Sequence, residues 1–360
     1  MNDPKETYLP FFDVADAINI RDYRSATWHT LSSTEQGQWI DEVFDYYRNT
    51  YGFPYFDLSD SDVHSALWRL RTRKPKWEGD MVLWDNTAVA LSAHFFPHIW
   101  GVQFRSKRTP LDAFESDKFL RDAIHLAFKI KPTVSPADLL GAFCLGTAAN
   151  VGVVSRFKPM AAKAIWERYA PEGGVCYDYA CGWGGRLMGC AASQKNLHYI
   201  GVDPEPRTFK CLNILAQKIH DTYGCHDTIV QAGSEVFCPS DLQGLVDVAF
   251  SSPPYFDLEK YSGDDTQSHV KYPTLQEWLD GFVVDTFTNV RTLLKPGGVL
   301  GLNLVDFDGN DLCAQTVARI KDLGFEEVET LHIQMAQRRG QGQDTTSAYK
   351  SEPVFVFRRP

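Results

Sequence analysis

Through the first 150 positions the apolar residues recur at helical spacing; beyond that they fall into short runs at strand spacing. Trp39, Ile40, Val43, Phe44 and Tyr47 share one helical face. Ser32 or Ser33 caps that helix, with Glu35 or Gln36 closing a capping box. A second helix is expected from near Ser61, carrying Val63, Leu67 and Leu70 and ending before Pro75. A third opens at Asp85-Asn86-Thr87 and runs through Leu91 and Phe95 to Pro97, and a fourth covers 116–130. Ser135-Pro136, a cap followed by proline at the first helical position, opens a fifth. After about Pro159, strands are expected at 174–179, 198–202, 228–231, 246–251, 299–305, 327–336 and 353–357. Helices at 160–169, 182–192, 208–222, 275–294 and 312–323 separate most of them. Such alternation predicts an α/β fold, a parallel sheet with helices on both faces, and the last strand pair an antiparallel edge. The chain thus reads as a mostly helical domain, 1–150, followed by an α/β domain, 151–360.

Composition narrows the class. The 360 residues are 44% apolar, enough for a sizeable core, yet no run of about 18 apolar residues exists to span a membrane. Met-Asn-Asp-Pro-Lys-Glu does not read as a signal peptide. Eight cysteines show no Cys-x-x-Cys pair and no regular spacing, which predicts free thiols in a reducing compartment, a cytoplasmic location and no zinc site. A net charge of −10 argues against general adhesion to nucleic acid. Basic clusters at Arg69, Arg71, Arg73, Lys74 and Lys76, at Arg105, Lys107 and Arg108, and at Arg338 and Arg339 leave room for a local phosphate track.

Two stretches carry chemistry. Residues 247–255 read Asp-Val-Ala-Phe-Ser-Ser-Pro-Pro-Tyr. Val246, Val248 and Phe250 alternate as strand formers, and Pro253 and Pro254, which cannot donate to a ladder, end the strand. The carbonyls of Ser252 and Pro253 are left as rigid acceptors beyond the sheet's edge. Amino methylation of a nucleobase needs such acceptors. The exocyclic nitrogen is conjugated with its ring, and holding its two hydrogens frees the lone pair. The Ser252 hydroxyl and the Pro253 carbonyl suit that work, Tyr255 offers a ring on which a base stacks, and Asp257 is a candidate to take the released proton. The second stretch, 178–185, reads Asp-Tyr-Ala-Cys-Gly-Trp-Gly-Gly and leads into a helix N-terminus that favours an anionic group. It lacks full Gly-x-Gly-x-x-Gly spacing, since Leu187 stands where the third glycine belongs. Asp203, ending the next strand, is placed to accept ribose hydroxyls.

Taken together, 178–185, Asp203 and Ser252-Pro253-Pro254-Tyr255 resemble the class I S-adenosylmethionine-dependent amino-methyltransferases of DNA, over roughly 155–360. The resemblance implies a seven-stranded Rossmann-like methyltransferase sheet, S-adenosyl-L-methionine as cofactor and no metal. It implies Asp178 at the methionine end, with Ala180, Gly182 and Gly184 in close approach and Asp203 on the ribose. Phe157 and Lys158 precede the loop and touch the methionine part, and the adenine contact is left open between Ser234 and Glu235. Ser-Pro-Pro-Tyr is similar to the tetrad of N4-cytosine enzymes, whereas N6-adenine enzymes more often begin it with Asp or Asn. Tyr179-Ala180 departs from the Pro-Phe often found after the loop's first Asp.

The expected activity is methylation of a flipped DNA base, cytosine N4 foremost, of the restriction-modification type. Adenine N6 methylation, amino-methylation of an RNA base and a non-catalytic nucleic-acid-binding partner of the same fold are the alternatives. By elimination the nucleic acid is expected on 1–150, with Arg71, Arg73 and Lys74 on phosphates; 256–272 and 337–349, the latter with Arg338 and Arg339, would flank the base. No oligomeric state is implied. One geometric condition underlies the whole reading: the Gly182 and Ser252 turns must open at the same end of the sheet.

Overall fold

The computed structural model describes residues 25–130, 134–145, 150–225, 227–307, 309–335 and 351–360. The chain divides into two compact units, Met1–Tyr55 with Pro110–Val151, and Phe56–Thr109 with Gly152–Pro360. A single break near residue 150 is therefore not the division the structure makes. Segment 56–109 belongs with the α/β unit.

The first unit is helical where described. Ser32 and Glu35 form the expected capping box at the start of Ser33–Tyr46. Ser135 caps Pro136–Cys144 by accepting from the Asp138 N–H at 3.3 Å. Helix Asp117–Ile130 buries Leu120, Ile124 and Phe128, and the Trp28 ring stacks on Phe128 at 4.5 Å. The Tyr47 hydroxyl donates to the Val134 carbonyl at 3.0 Å, so a buried polar group in this core has its partner.

The second unit holds the strands, in chain order β1 Trp77–Glu78, β2 Met81–Val82, β3 Gln103–Phe104, β4 Val175–Asp178, β5 His198–Val202, β6 Asp227–Val230, β7 Val246–Ser251, β8 Glu259–Lys260, β9 Leu294–Asn303, β10 Glu326–Gln334 and β11 Ser351–Arg358. Nine of them form one sheet in the order β1-β2-β10-β11-β9-β7-β4-β5-β6. The expected seven strands are all present. Hairpin β1–β2 extends them, β2 pairing parallel to β10 through Met81 with His332 and Val82 with Ile333. Strands β4, β5, β6, β7 and β9 run parallel, and β11 is antiparallel to both β9 and β10, as the closing strand pair predicts.

Alternation along each strand supplies both cores. Cys176, Tyr199, Val248 and Phe250 pack with helices Asp60–Thr72, Pro159–Tyr169, Gly185–Ala192 and Pro206–Tyr223. Their strand neighbours Tyr177, Ile200 and Ala249 pack with Phe282, Phe287, Leu312 and Ile320. Full burial of an aliphatic or Phe side chain is worth about 1.5–3 kcal/mol. The helix expected at 275–294 is divided into Leu275–Trp278, a π-helical turn Leu279–Val283 and Val284–Leu293. Among the described residues no helix is long and apolar enough to cross a membrane.

Because β4 and β7 are parallel neighbours, with Cys176 beside Val248 and Tyr177 beside Ala249, the turns that follow them leave the sheet at the same edge. The Gly182 and Ser252 turns thus meet the geometric condition set by the sequence.

Candidate active site

A cavity of about 1210 Å³ opens at the carboxyl ends of these strands. Such a volume exceeds the roughly 300–1,000 Å³ of ordinary small-molecule sites and leaves room for two ligands side by side. Phe157, Lys158, Ala180, Gly182, Asp203, Ser234, Ser252, Pro253, Pro254 and Tyr255 all line it.

The cofactor-side turn is shaped by backbone freedom. Gly182 and Gly184 have φ of 49° and 70°, a left-handed conformation that favours glycine. A Cβ on Gly182 would meet nothing nearer than the Ala180 carbonyl oxygen at 3.8 Å, so the backbone there lies open. Gly184, in contrast, is buried and does not line the cavity. A Cβ at Gly184 would lie 2.4 Å from Leu215 Cδ2, and one at Gly185 would lie 2.3 Å from the Phe157 carbonyl oxygen. Both glycines seat the helix Gly185–Ala192; Gly185 also lines the cavity, whereas Gly184 does not.

Asp178 differs from its implied role. Its carboxylate is fully buried and accepts from Arg186 Nε at 3.0 and 2.9 Å, from the Tyr199 hydroxyl at 2.7 Å and from Ser251 Oγ at 2.6 Å. With its oxygens spent on the protein, it holds Arg186, and it is Arg186 that lines the cavity, 5.0 Å from the Phe157 ring. Arg186 also donates to the Ala180 carbonyl. The Tyr179 hydroxyl donates to the Gly301 carbonyl at 2.8 Å inside the core. Cys181 Sγ donates to the Val202 carbonyl at 3.1 Å, and burial pushes its thiol well up, away from the thiolate form a nucleophile uses.

Asp203 stands at the end of β5 and spans the two strand ends. One oxygen accepts from the Gly182 N–H at 3.1 Å and the other from the Glu205 N–H at 3.0 Å. Burial outweighs these bonds and pushes its carboxyl up to about 7. Both candidates at the third strand's end line the cavity. Ser234 Oγ is paired with Thr286 Oγ1 at 3.0 Å, while Glu235 makes an ion pair with Lys271 at 2.7 Å.

On the other side, Ser252 Oγ lies 2.8 Å from the Tyr255 hydroxyl, which is 3.3 Å from Asn303 Oδ1. Among the described residues no group donates to the Ser252 or Pro253 carbonyl. Burial foremost raises the Tyr255 hydroxyl far above its ordinary range, so it stays protonated. Phe256 follows with φ of 52°, and Arg105, on the segment packed beside it, has φ of 54°. Left-handed non-glycine residues cost on the order of 1–3 kcal/mol each and persist where neighbours fix them. Here the Arg105 N–H donates to the Leu258 carbonyl at 2.9 Å, and β3 pairs with β8, Phe104 opposite Glu259.

Several lining residues lie outside the sequence reading: His98, Trp183, Glu259, Tyr261, Asn303 and Glu352. Asp257, the expected proton acceptor, is exposed and off the cavity; Glu259, two positions on, is the carboxylate that lines it. Glu259 accepts from the Ser155 N–H at 3.3 Å and from the Tyr261 hydroxyl at 2.6 Å, and burial raises its carboxyl. The Tyr261 ring meets Trp183 of the cofactor-side turn edge-on at 5.5 Å. Near Asp203, His98 Nε2 pairs with Thr208 Oγ1 at 3.0 Å, and burial pushes its imidazole down to about 4. Glu259 and Tyr261 share period-two spacing with Tyr255, but so does Asp257, so spacing alone did not separate them; nothing local marked His98 or Asn303.

Of the expected phosphate contacts, Arg71, Arg73 and Lys74 are not brought to this cavity. Arg71, Arg73 and Lys74 line a separate groove of about 550 Å³ with Lys163 and Arg168. Arg71 lies over the Tyr223 ring at 4.8 Å, and Arg73 pairs with Asp85 at 3.0 Å. Lys163 Nζ donates to the carbonyls of Leu70, Arg71 and Arg73 at 3.0, 2.8 and 2.8 Å, closing the end of helix Asp60–Thr72. Arg338 and Arg339, with segment 337–349, lie outside the described residues.

No family model matches the chain, and no curated protein does. Several solved structures are distantly similar to part of the chain. A methyltransferase from Pyrococcus furiosus is 16% identical, with 56% of this chain and 82% of that one covered and a TM-score of 0.38. TrmN from Thermus thermophilus is 16% identical, with 56% of this chain and 49% of that one covered and a TM-score of 0.37. A SAM-dependent O-methyltransferase from Thermotoga maritima is 15% identical, with 59% and 69% covered and a TM-score of 0.40. Likeness at this level carries nothing about activity.

Proposed function

We propose that the chain is an S-adenosyl-L-methionine-dependent methyltransferase acting on an exocyclic amino group of a DNA base, cytosine N4 foremost. One observation carries this reading: an open glycine turn and a Ser-Pro-Pro-Tyr turn with unclaimed acceptors line one cavity at one edge of the sheet. The residues fit the cofactor. Gly182 leaves bare backbone, Asp203 offers a carboxylate to ribose hydroxyls, and Ser234 and Glu235, which line the same cavity, are our candidates for the adenine contact. Bound there, the cofactor supplies an electrophilic methyl group on sulfur.

The chain's own part is positioning and polarity. The Ser252 hydroxyl and the Pro253 carbonyl accept the two amino hydrogens and turn the nitrogen lone pair away from the ring. Tyr255 supports the base, which has to leave its stack to enter so deep a cavity. As positive charge develops on the nitrogen, these acceptors stabilise it. Glu259, a carboxylate lining the cavity two positions beyond Asp257, takes the released proton in place of Asp257 in this proposal. Phosphate contact by Arg71, Arg73 and Lys74 belongs to the same proposal, with replacement of all three by Ala lowering DNA affinity and flattening its salt dependence.

Product identification tests the reading. Unmethylated duplex DNA and RNA of mixed sequence are incubated with methyl-tritiated S-adenosylmethionine, digested to nucleosides and resolved by mass spectrometry. Label in N4-methyl-2′-deoxycytidine from DNA is expected. Label in N6-methyladenosine or in RNA would move the target, and no label with either polymer would favour the non-catalytic binding partner.

A further inference from the structure

The Ser252 hydroxyl has a donor end and an acceptor end, and the proposed chemistry works only if the acceptor end faces the base. A hydroxyl carries one donor and two lone pairs, so its neighbours decide which way it points. Those neighbours form a chain: Ser252 Oγ is 2.8 Å from the Tyr255 hydroxyl, and that hydroxyl is 3.3 Å from Asn303 Oδ1. Asn303, the last residue of β9, is buried and lines the cavity. Its Nδ2 donates to the Pro353 carbonyl at 2.9 Å.

That last bond fixes the direction of the whole chain. A carbonyl only accepts, so the amide nitrogen of Asn303 has to face Pro353; the flipped amide would set oxygen against oxygen. Asn303 Oδ1 therefore faces Tyr255, and Oδ1 also only accepts. The Tyr255 O–H is committed to it as donor. The Tyr255 oxygen is then left to accept from Ser252, whose single proton is spent there. Both Ser252 lone pairs remain for the cavity.

We infer that Asn303 is a positioning residue that locks Ser252 as an obligate hydrogen-bond acceptor, selecting amino groups over carbonyl groups at the reacting position. The inference rests on the amino-methylation reading above. Asn303 acts through Tyr255 rather than on the base. It also supplies a physical reason for rejecting keto bases: with the Pro253 carbonyl beside it, Ser252 presents acceptors only, and a base carbonyl entering there would meet them unpaired. Losing Asn303 frees the Tyr255 proton to point at Ser252, which turns the Ser252 proton towards the cavity.

A double-mutant cycle tests this on the full chain. Single-turnover rates on unmethylated PCR-amplified duplex DNA are measured for wild type, Asn303→Leu, Asn303→Asp, Tyr255→Phe and the Tyr255→Phe/Asn303→Leu double variant, with S-adenosylhomocysteine affinity as the fold check. Asn303→Leu is expected to slow transfer about tenfold at unchanged S-adenosylhomocysteine affinity. Asn303→Asp, which in its protonated form keeps both an acceptor opposite Tyr255 and a donor to the Pro353 carbonyl, loses less at about pH 6 than at about pH 8. In the Tyr255→Phe background Asn303→Leu costs nothing further, because the relay is already cut. Losses that multiply in the double variant, or wild-type transfer by Asn303→Leu, would overturn the inference. Product analysis on wild type separates the two levels: if its label is not on a base amino group, the functional reading fails and this inference goes with it.

Discussion

The two turns at the sheet's edge are built on opposite plans. The 178–185 turn turns its polarity inward: Asp178 is consumed by Arg186, Tyr199 and Ser251, and what it shows the cavity is bare backbone and shape. The 252–255 turn does the reverse. Its prolines remove donors, its hydroxyls are chained to one another, and no described group donates to the Ser252 or Pro253 carbonyl. The difference shows that chemistry at this edge divides between a turn that seats a ligand by geometry and one that acts on a ligand by polarity. Mutations in the first should therefore register in stability and binding, and mutations in the second in turnover.

The sharpest way to break that contrast is Asp178→Asn. Removing one charge of a buried ion pair with Arg186 typically costs about 3–5 kcal/mol. Chemical denaturation should show a loss of that order. Normal stability combined with selective loss of S-adenosylhomocysteine binding would instead restore Asp178 to a ligand-facing role.

Ser252→Ala should do the converse. Turnover is expected to fall about 100-fold, the scale of losing one group aligned with developing charge, while the denaturation midpoint and S-adenosylhomocysteine affinity stay near wild type. Parallel loss of binding and turnover would erase the distinction between the turns.

The smallest effect concerns Asp203, which belongs to neither turn but accepts from the first. Its carboxyl is raised from 3.8 to about 7, so its contribution to folding stability is fully present below pH 3.8 and is lost as pH rises through about 7. Ribose hydroxyls donate to the ionised form, so binding runs the other way. S-adenosylhomocysteine affinity should tighten by up to about tenfold from about pH 6 to about pH 8, and Asp203→Asn should flatten that part of the profile. An identical profile in Asp203→Asn would remove the carboxylate from the ribose contact.

The sequence made the seven expected strands, both turns and the Ser32 and Ser135 caps legible, because period-two apolar runs, Pro-Pro, Ser-x-x-Glu and Ser-Pro are local signals; the helix expected to open at Asp85-Asn86-Thr87 starts at Val89 instead, after a left-handed Ala88. It left hidden what depends on neighbours far along the chain. The two-residue strands Trp77–Glu78 and Met81–Val82 are too short to show a period, so segment 56–109 read as part of a helical domain. Asp178 sat at the right place in the loop, but whether a strand-end carboxylate faces a ligand or the core is decided by Arg186, Tyr199 and Ser251. Glu259 displaced Asp257 because pairing of Phe104 with Glu259 sets which side chains of that loop turn inward. Arg71, Arg73 and Lys74 were visible as charge, yet their groove is fixed by Lys163, a helix away.

The central claim is that one cavity brings a methyl donor on the glycine turn up to acceptors on the proline turn. Its most direct test is a crystal structure with S-adenosylhomocysteine bound. The account predicts the ribose on Asp203, the chain of the ligand along Gly182 and its sulfur directed at Ser252 and the Pro253 carbonyl. A ligand seated outside this cavity, or with its sulfur directed away from Ser252, would contradict it.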